Sequence, residues 1–181
     1  MDALSDDASR PSHDGSTNLL TIAYREFSAM VLGYLRSSGV DDPEAVTQDV
    51  FVALYPRLGS ITGGADGART LIFSIAHARV VDHHRKRSRS PVSEAYLAAL
   101  DPRTSPSAED EVVARDGEAS VIALMDLLAN DQREVLALRI IAELSLEQTA
   151  QVMNRSAGAI KQLQLRALAN LRKQVDGGIA G

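Results

Sequence analysis

Two groups of side chains in this sequence have the types and spacing to act on another molecule, and both suit nucleic acid. Arg79, Arg85, Lys86, Arg87 and Arg89 crowd one short segment. Guanidinium and ammonium groups there would hold phosphates and release counterions, adding affinity without sequence information. Farther along, Ser156 precedes Lys161, Gln162, Gln164, Leu165 and Arg166. Amide side chains suit adenine edges, and Arg or Lys suits guanine or phosphate. Other chemistry finds no support. The 181 residues include no Cys, which removes disulfides, thiolate zinc sites and cysteine nucleophiles. Asp82, His83 and His84 are adjacent, so on a helix they point apart, and only Lys86 and Arg87 stand at the spacing of a further ligand. Gly63-Gly64-Ala65-Asp66-Gly67 lacks the Lys-Ser/Thr of a phosphate loop, and there is no nucleophile elbow. No catalytic residue, metal site or cofactor is expected.

The elements that position these residues read as helices throughout, with no period-2 strand signal. Residues 1–18 hold Asp, Ser, Gly and Pro with few large apolar side chains, and are predicted to be a disordered tail. From Leu20, apolar residues at Tyr24, Phe27, Val31 and Tyr34 mark one helical face, with Gly39 placed as a C-cap. Asp42-Pro43-Glu44 supplies an N-cap acceptor, a Pro at N1 and an acid against the dipole. The second helix then runs to about Tyr55, with Val46, Val50, Ala53 and Leu54 inward and Gln48 and Asp49 toward the other side. Gly59 to Gly67 reads as a flexible loop, and a third helix from about Ala68 runs into the basic cluster. Three prolines and several Ser between Ser88 and Ser107 mark a linker. Ser107 with Glu109, Asp110 and Glu111 caps a helix carrying Val121, Leu124 and Leu128, and another opens at Asn130 or Asp131.

Next comes a helix-turn-helix. Ser145-Leu146-Glu147-Gln148 fits the capping box, so a short helix begins at Leu146 and ends near Met153. Asn154 tolerates the left-handed turn, and Ser156 caps a helix from Ala157 to about Lys173 with Ile160, Leu163, Ala167 and Leu171 inward. A short helix, a tight turn and a longer helix form the arrangement whose second helix enters the major groove. The fold expected is all-α, with two small helical domains joined by a flexible linker: tail 1–18, N-terminal domain 19–89, linker 90–107, helix-turn-helix domain 108–175 and tail 176–181.

The net charge of -5 speaks against a protein that coats nucleic acid generally, but the charge is unevenly placed. Asp101, Glu109, Asp110, Glu111, Asp116 and Glu118 follow the basic cluster, and the stretch from Glu109 to Glu118 is expected to shield it. Aromatic residues make up 4% with no Trp, so cores rest on Leu, Val, Ile and Ala. The N-terminus has no signal-peptide pattern, and no apolar run nears the roughly 20 residues of a membrane span. A cytoplasmic protein without membrane insertion is expected.

Three blocks, in order, resemble sigma factors of the extracytoplasmic-function group of bacterial RNA polymerase. Residues 42–51, Asp-Pro-Glu-Ala-Val-Thr-Gln-Asp-Val-Phe, look like that family's helix for docking on the polymerase. Residues 71–87, from Leu71 through Ile75-Ala76-His77-Ala78-Arg79 to Asp82-His83-His84-Arg85-Lys86-Arg87, resemble its promoter-melting and promoter-reading helix. Residues 131–172 are similar to its promoter-reading C-terminal domain. The resemblance implies Gln48 and Asp49 as polymerase contacts, core RNA polymerase and promoter DNA as partners, and an anti-sigma factor as inhibitor. It makes the Gly59 to Gly67 loop a candidate pocket for a base taken out of the stack. The sequence departs from the family at His77 and Ala78, where Arg and Asn are usual, at Leu71, where Trp is common, and at Leu163-Gln164-Leu165 in the recognition helix. The implied function is an alternative sigma factor that recognises two promoter elements; the alternative is a stand-alone helix-turn-helix regulator, which would bind an operator by itself.

Overall fold

The computed structural model describes residues 13–89 and 123–178, and every regular element among them is helical. Helix α1 spans His13–Ser37, α2 Pro43–Leu54, α3 Gly64–Arg89, α4 Asn130–Leu136, α5 Leu146–Val152 and α6 Ala157–Gly178. The expectations for residues 1–12, the 90–107 linker, the Ser107 cap, the acidic stretch from Glu109 to Glu118, Val121 and residues 179–181 lie outside the described residues.

Local chemistry sets most helix ends. Gly39 has φ 69° and so closes α1 in the left-handed conformation, with the Val40 amide donating to the Leu35 carbonyl at 3.3 Å. The Asp42 carboxylate accepts from the Ala45 amide at 3.0 Å, and Pro43 opens α2. Arg36 donates to Glu44 at 2.8 Å, a hydrogen bond that holds this exposed carboxyl below its usual range. In the C-terminal unit both halves of the capping box form: the Gln148 amide donates to Ser145 Oγ at 3.1 Å, and the Ser145 amide to Gln148 Oε1 at 2.7 Å. Asn154 takes φ 50°, and Ser156 Oγ accepts from the Ala159 amide at 3.2 Å.

Three boundaries differ from the sequence reading. Helix α1 begins at His13, inside the expected tail. Leu19 and Ile22 are exposed there, so these turns bury little; once the packed half of α1 is nucleated, each further residue adds a hydrogen bond with no new nucleation cost. Tyr24 is 45% exposed and outside the core, lying edge-on to Phe51 with ring centroids 4.9 Å apart. The Gly-rich loop is also shorter than expected. Tyr55–Ser60 wind into a 3-10 turn, and α3 starts at Gly64, which leaves 61–63 as the connection. A Cβ on Gly67 would lie 1.6 Å from the Thr62 carbonyl oxygen, so this glycine lets the first turns of α3 lie against the incoming chain. Finally, α6 runs to Gly178, past the expected end near Lys173 and into the expected tail; α4 opens at Asn130 as expected, without a side-chain cap, and passes into a π-helical turn over Ala137–Ile141.

The predicted inward faces are largely the observed ones. Phe27, Val31 and Tyr34 of α1, Val50 and Leu54 of α2, and Ile72, Phe73 and Ala76 of α3 form the N-terminal core. Val135, Leu138, Leu144, Ile160, Leu163 and Ala167 form the C-terminal one. The two cores belong to one continuous cluster, so the units are docked rather than held apart. Gly33 of α1 lets the π turn approach, since a Cβ there would lie 3.2 Å from Ile141 Cγ2.

Candidate nucleic-acid interface

Helix α6 divides its side chains cleanly. Ile160, Leu163 and Ala167 are buried, whereas Lys161, Gln162, Leu165 and Arg166 are exposed. Gly158, Lys161, Gln162 and Leu165 follow the three- and four-residue spacing of one helical face, next to the exposed Ser156 that caps the helix. A Cβ on Gly158 would meet nothing within 4 Å, so no packing demand accounts for a glycine in this first turn. Gln164 is half-buried, and its Oε1 accepts from Arg139 Nε at 3.3 Å. Behind the helix, Arg155 pairs with Asp131 at 3.7 Å.

The basic cluster wraps around α3 instead of forming one patch. Arg79 and Lys86, seven residues apart and so on one face, line a groove of about 460 Å³ with Asp82 and His83 opposite Val46, Asp49, Val52 and Ala53 of α2. Arg85 and Arg87 border a second hollow with His84, Ser88 and Asn130. Asp41 tethers this end of the helix, 3.4 Å from Arg87 and 3.6 Å from His83 Nε2. Arg79, Arg85, Lys86, Arg87 and Arg89 are all exposed.

Gln48 and Asp49 are both exposed on α2. The structure sets Asp49 in the same groove as Arg79 and Lys86, so the side chains singled out for protein contact and for phosphate contact adjoin. Val52, 71% exposed beside Asp49, was missed by the sequence reading, because hydropathy alone assigns a valine to the core. A further cavity of about 300 Å³ lies at the shortened loop, lined by Ser60, Ile61, Thr62, Gly67, Thr70, Leu71 and Ser74, and by Gln151 of α5. Gln151 was also missed, since only the docking of the two units brings it there.

Among known proteins, the family described as Sigma-70, region 4 matches residues 124–173. The ECF RNA polymerase sigma factor BldN of Streptomyces coelicolor is 31% identical over 154 residues, 83% of this chain and 58% of that protein, so this chain spans little over half the length of BldN. SigD of Mycobacterium tuberculosis, also an ECF RNA polymerase sigma factor, is 31% identical over 147 residues, 80% of this chain and 68% of that protein. The chain belongs to the ECF sigma factors. The fold agrees: the sigma factor RpoE of Bartonella quintana, solved in complex with the anti-sigma factor NepR, matches with a TM-score of 0.61 at 20% identity, covering 88% of this chain and 96% of that one.

Two departures of this ECF sigma factor from the family pattern acquire a physical setting. His77 does not face solvent as part of the basic surface; its Nδ1 meets the Glu134 carboxylate of the C-terminal unit. Leu163 is buried at 8% exposure, on the core stripe of α6 and off its exposed face. No helix among the described residues is long and apolar enough to cross a membrane.

Proposed function

We propose that this chain is an alternative sigma factor that works in the cytoplasm: it binds core RNA polymerase, directs promoter-specific initiation through two promoter elements, and is restrained by an anti-sigma factor. In this reading Gln48 and Asp49, with Val52 beside them, face the polymerase. Arg79, Arg85, Lys86, Arg87 and Arg89 hold phosphates near the start-proximal element, and the cavity beside the shortened loop receives a base taken out of the stack during melting. Ser156, Lys161, Gln162, Gln164 and Arg166 address the upstream element from the first turns of α6, with Leu165 offering apolar contact to a thymine methyl. The linker 90–107 lets the units reach elements that are apart along the duplex. Catalysis belongs to the polymerase.

The observation that carries the reading is the pairing of two differently built DNA-suited surfaces in one chain. The α6 face mixes Lys161, Gln162, Leu165 and Arg166, all exposed, which suits base edges. The α3 end carries Arg79 and Lys86 on a groove shared with α2 and Arg85 and Arg87 on a second hollow, which suits phosphates beside a protein partner. A stand-alone regulator needs only the first. The proposed restraint draws on the likeness to RpoE, which was solved with an anti-sigma factor. The test is transcription by purified core polymerase on a promoter library. Promoter-specific transcripts that require the chain are expected. Their absence, with an operator footprint from the chain alone, would make it a stand-alone regulator.

A further inference from the structure

The joint between the two units holds a carboxylate that the reading above does not use. Glu134 of α4 has a side chain only 18% exposed, and two N-terminal side chains converge on one of its oxygens. The Tyr34 hydroxyl donates to Oε1 at 3.0 Å, and His77 Nδ1 contacts the same atom. Burial of Tyr34, then the charge and hydrogen bond of Glu134, raises the phenol well above its usual pKa, so the hydroxyl stays a donor. Polar contacts also cross the joint where α5 and the turn before it meet the start of α3. Gln148 Nε2 donates to the Asp66 carbonyl at 3.2 Å, and Arg69 reaches both the Glu143 carbonyl and its carboxylate at 3.4 Å. Through this docking Gln151 becomes a wall of the loop cavity.

A buried carboxylate adds little net stability, because desolvation offsets its attractions; its best-attested use is to select one arrangement over others. Here that arrangement treats the two DNA-suited surfaces unequally. Lys161, Gln162, Leu165 and Arg166 remain exposed, whereas the loop cavity is bordered on one side by Gln151 of α5. Building on the sigma-factor reading, we propose that Glu134, Tyr34 and His77 form an autoinhibitory latch: it holds the C-terminal unit over the loop, leaving the recognition helix open to duplex DNA while withholding the cavity from an unstacked base until the units part. The affinity of the cavity for a base is then scaled down by the fraction of molecules that are open.

The absence of Cys from the chain allows introduced thiols to report on this directly. In the full chain, nitroxides at Glu26→Cys and Gln174→Cys, both exposed positions, give the distance between units by pulsed electron resonance. In a separate background, the maleimide labelling rate of Ser74→Cys reads access to the cavity. Glu134→Ala removes the shared acceptor of Tyr34 and His77 and is expected to add a long-distance population and speed labelling by more than about tenfold, since one hydrogen bond to a charged group is alone worth about that factor. Tyr34→Phe keeps the ring against Phe73, whose centroid is 5.7 Å away, and removes one donor; it should shift both readouts the same way by a smaller factor, without the risk to folding. A wild-type chain already dominated by long distances would overturn the latch, as would wild-type distances and labelling in both variants with helix content retained. These readouts need no polymerase. A failure of promoter-specific transcription would therefore overturn the sigma-factor reading separately.

Discussion

Helices α3 and α6 both carry a glycine in their opening turns, and the two glycines answer different demands. At Gly67 a side chain would drive into the Thr62 carbonyl, 1.6 Å from the added carbon. At Gly158 it would meet nothing within 4 Å. The first glycine is fixed by the fold; the second stands on a face that protein leaves empty. The contrast extends along the helices. Helix α6 presents a self-contained face, set by its own cap and its own buried stripe. The surface of α3 depends on its neighbours: Asp49 and Val52 of α2 complete its groove, Asp41 tethers its basic end, and Gln151 of α5 borders the cavity at its start. A recognition surface written along one helix can be read locally, and one assembled from four elements cannot.

The sharpest way to test this contrast is at the glycines. Gly67→Ala forces the loop or α3 to move and should cost about 3 kcal/mol or more, the upper range for overpacking, measured by urea unfolding. A loss near zero would mean that the approach of Thr62 is not fixed. Next in size, Lys161→Ala and Arg166→Ala should each weaken upstream-element binding by roughly 1–3 kcal/mol, read by fluorescence anisotropy at constant salt. Gln48→Ala with Asp49→Ala should reduce polymerase affinity by about 1–2 kcal/mol, in the range of interface residues that matter, with helix content unchanged by circular dichroism. Unaltered affinity would remove α2 as the docking face. Ser145→Ala deletes one half of the capping box and should cost about 1 kcal/mol in the C-terminal unit. Smallest is Gly158→Ala. In open space it should raise stability by up to about 0.8 kcal/mol while weakening duplex binding if the helix backbone lies close to DNA. A gain in both would free that turn from any contact.

What the sequence made legible follows the same division. Each cap at α2, α5 and α6 was readable because the residues that satisfy the free amides lie within three positions of them: Asp42 for Ala45, Ser145 for Gln148, Ser156 for Ala159. The buried stripes of α2 and α6 were readable from periodicity. The start of α1 at His13 was not, because exposed helical turns carry no apolar signature, and the shortened loop was not, because glycines at φ 80° and 62° serve a tight entry into α3 as well as a flexible loop. Within the candidate sites, Gln164 read as a side chain with no partner in the fold, but Arg139, 25 positions away, donates to it. His77 likewise read as a lapse in the basic surface until Glu134 gave it a partner 57 positions away. Local hydrogen bonds are encoded where they occur, and contacts across the joint emerge only when both units have folded and docked.

If two unlike surfaces of one chain read two promoter elements once polymerase holds them both, sequencing the promoters that core polymerase selects from a random library will show it, with the wild-type chain and with the Lys161→Ala, Arg166→Ala double variant. Two conserved elements at a fixed separation are expected with the wild type, and with the variant a loss of information confined to the upstream element. Selection of a single element by the wild type, or loss of both elements together in the variant, would contradict it.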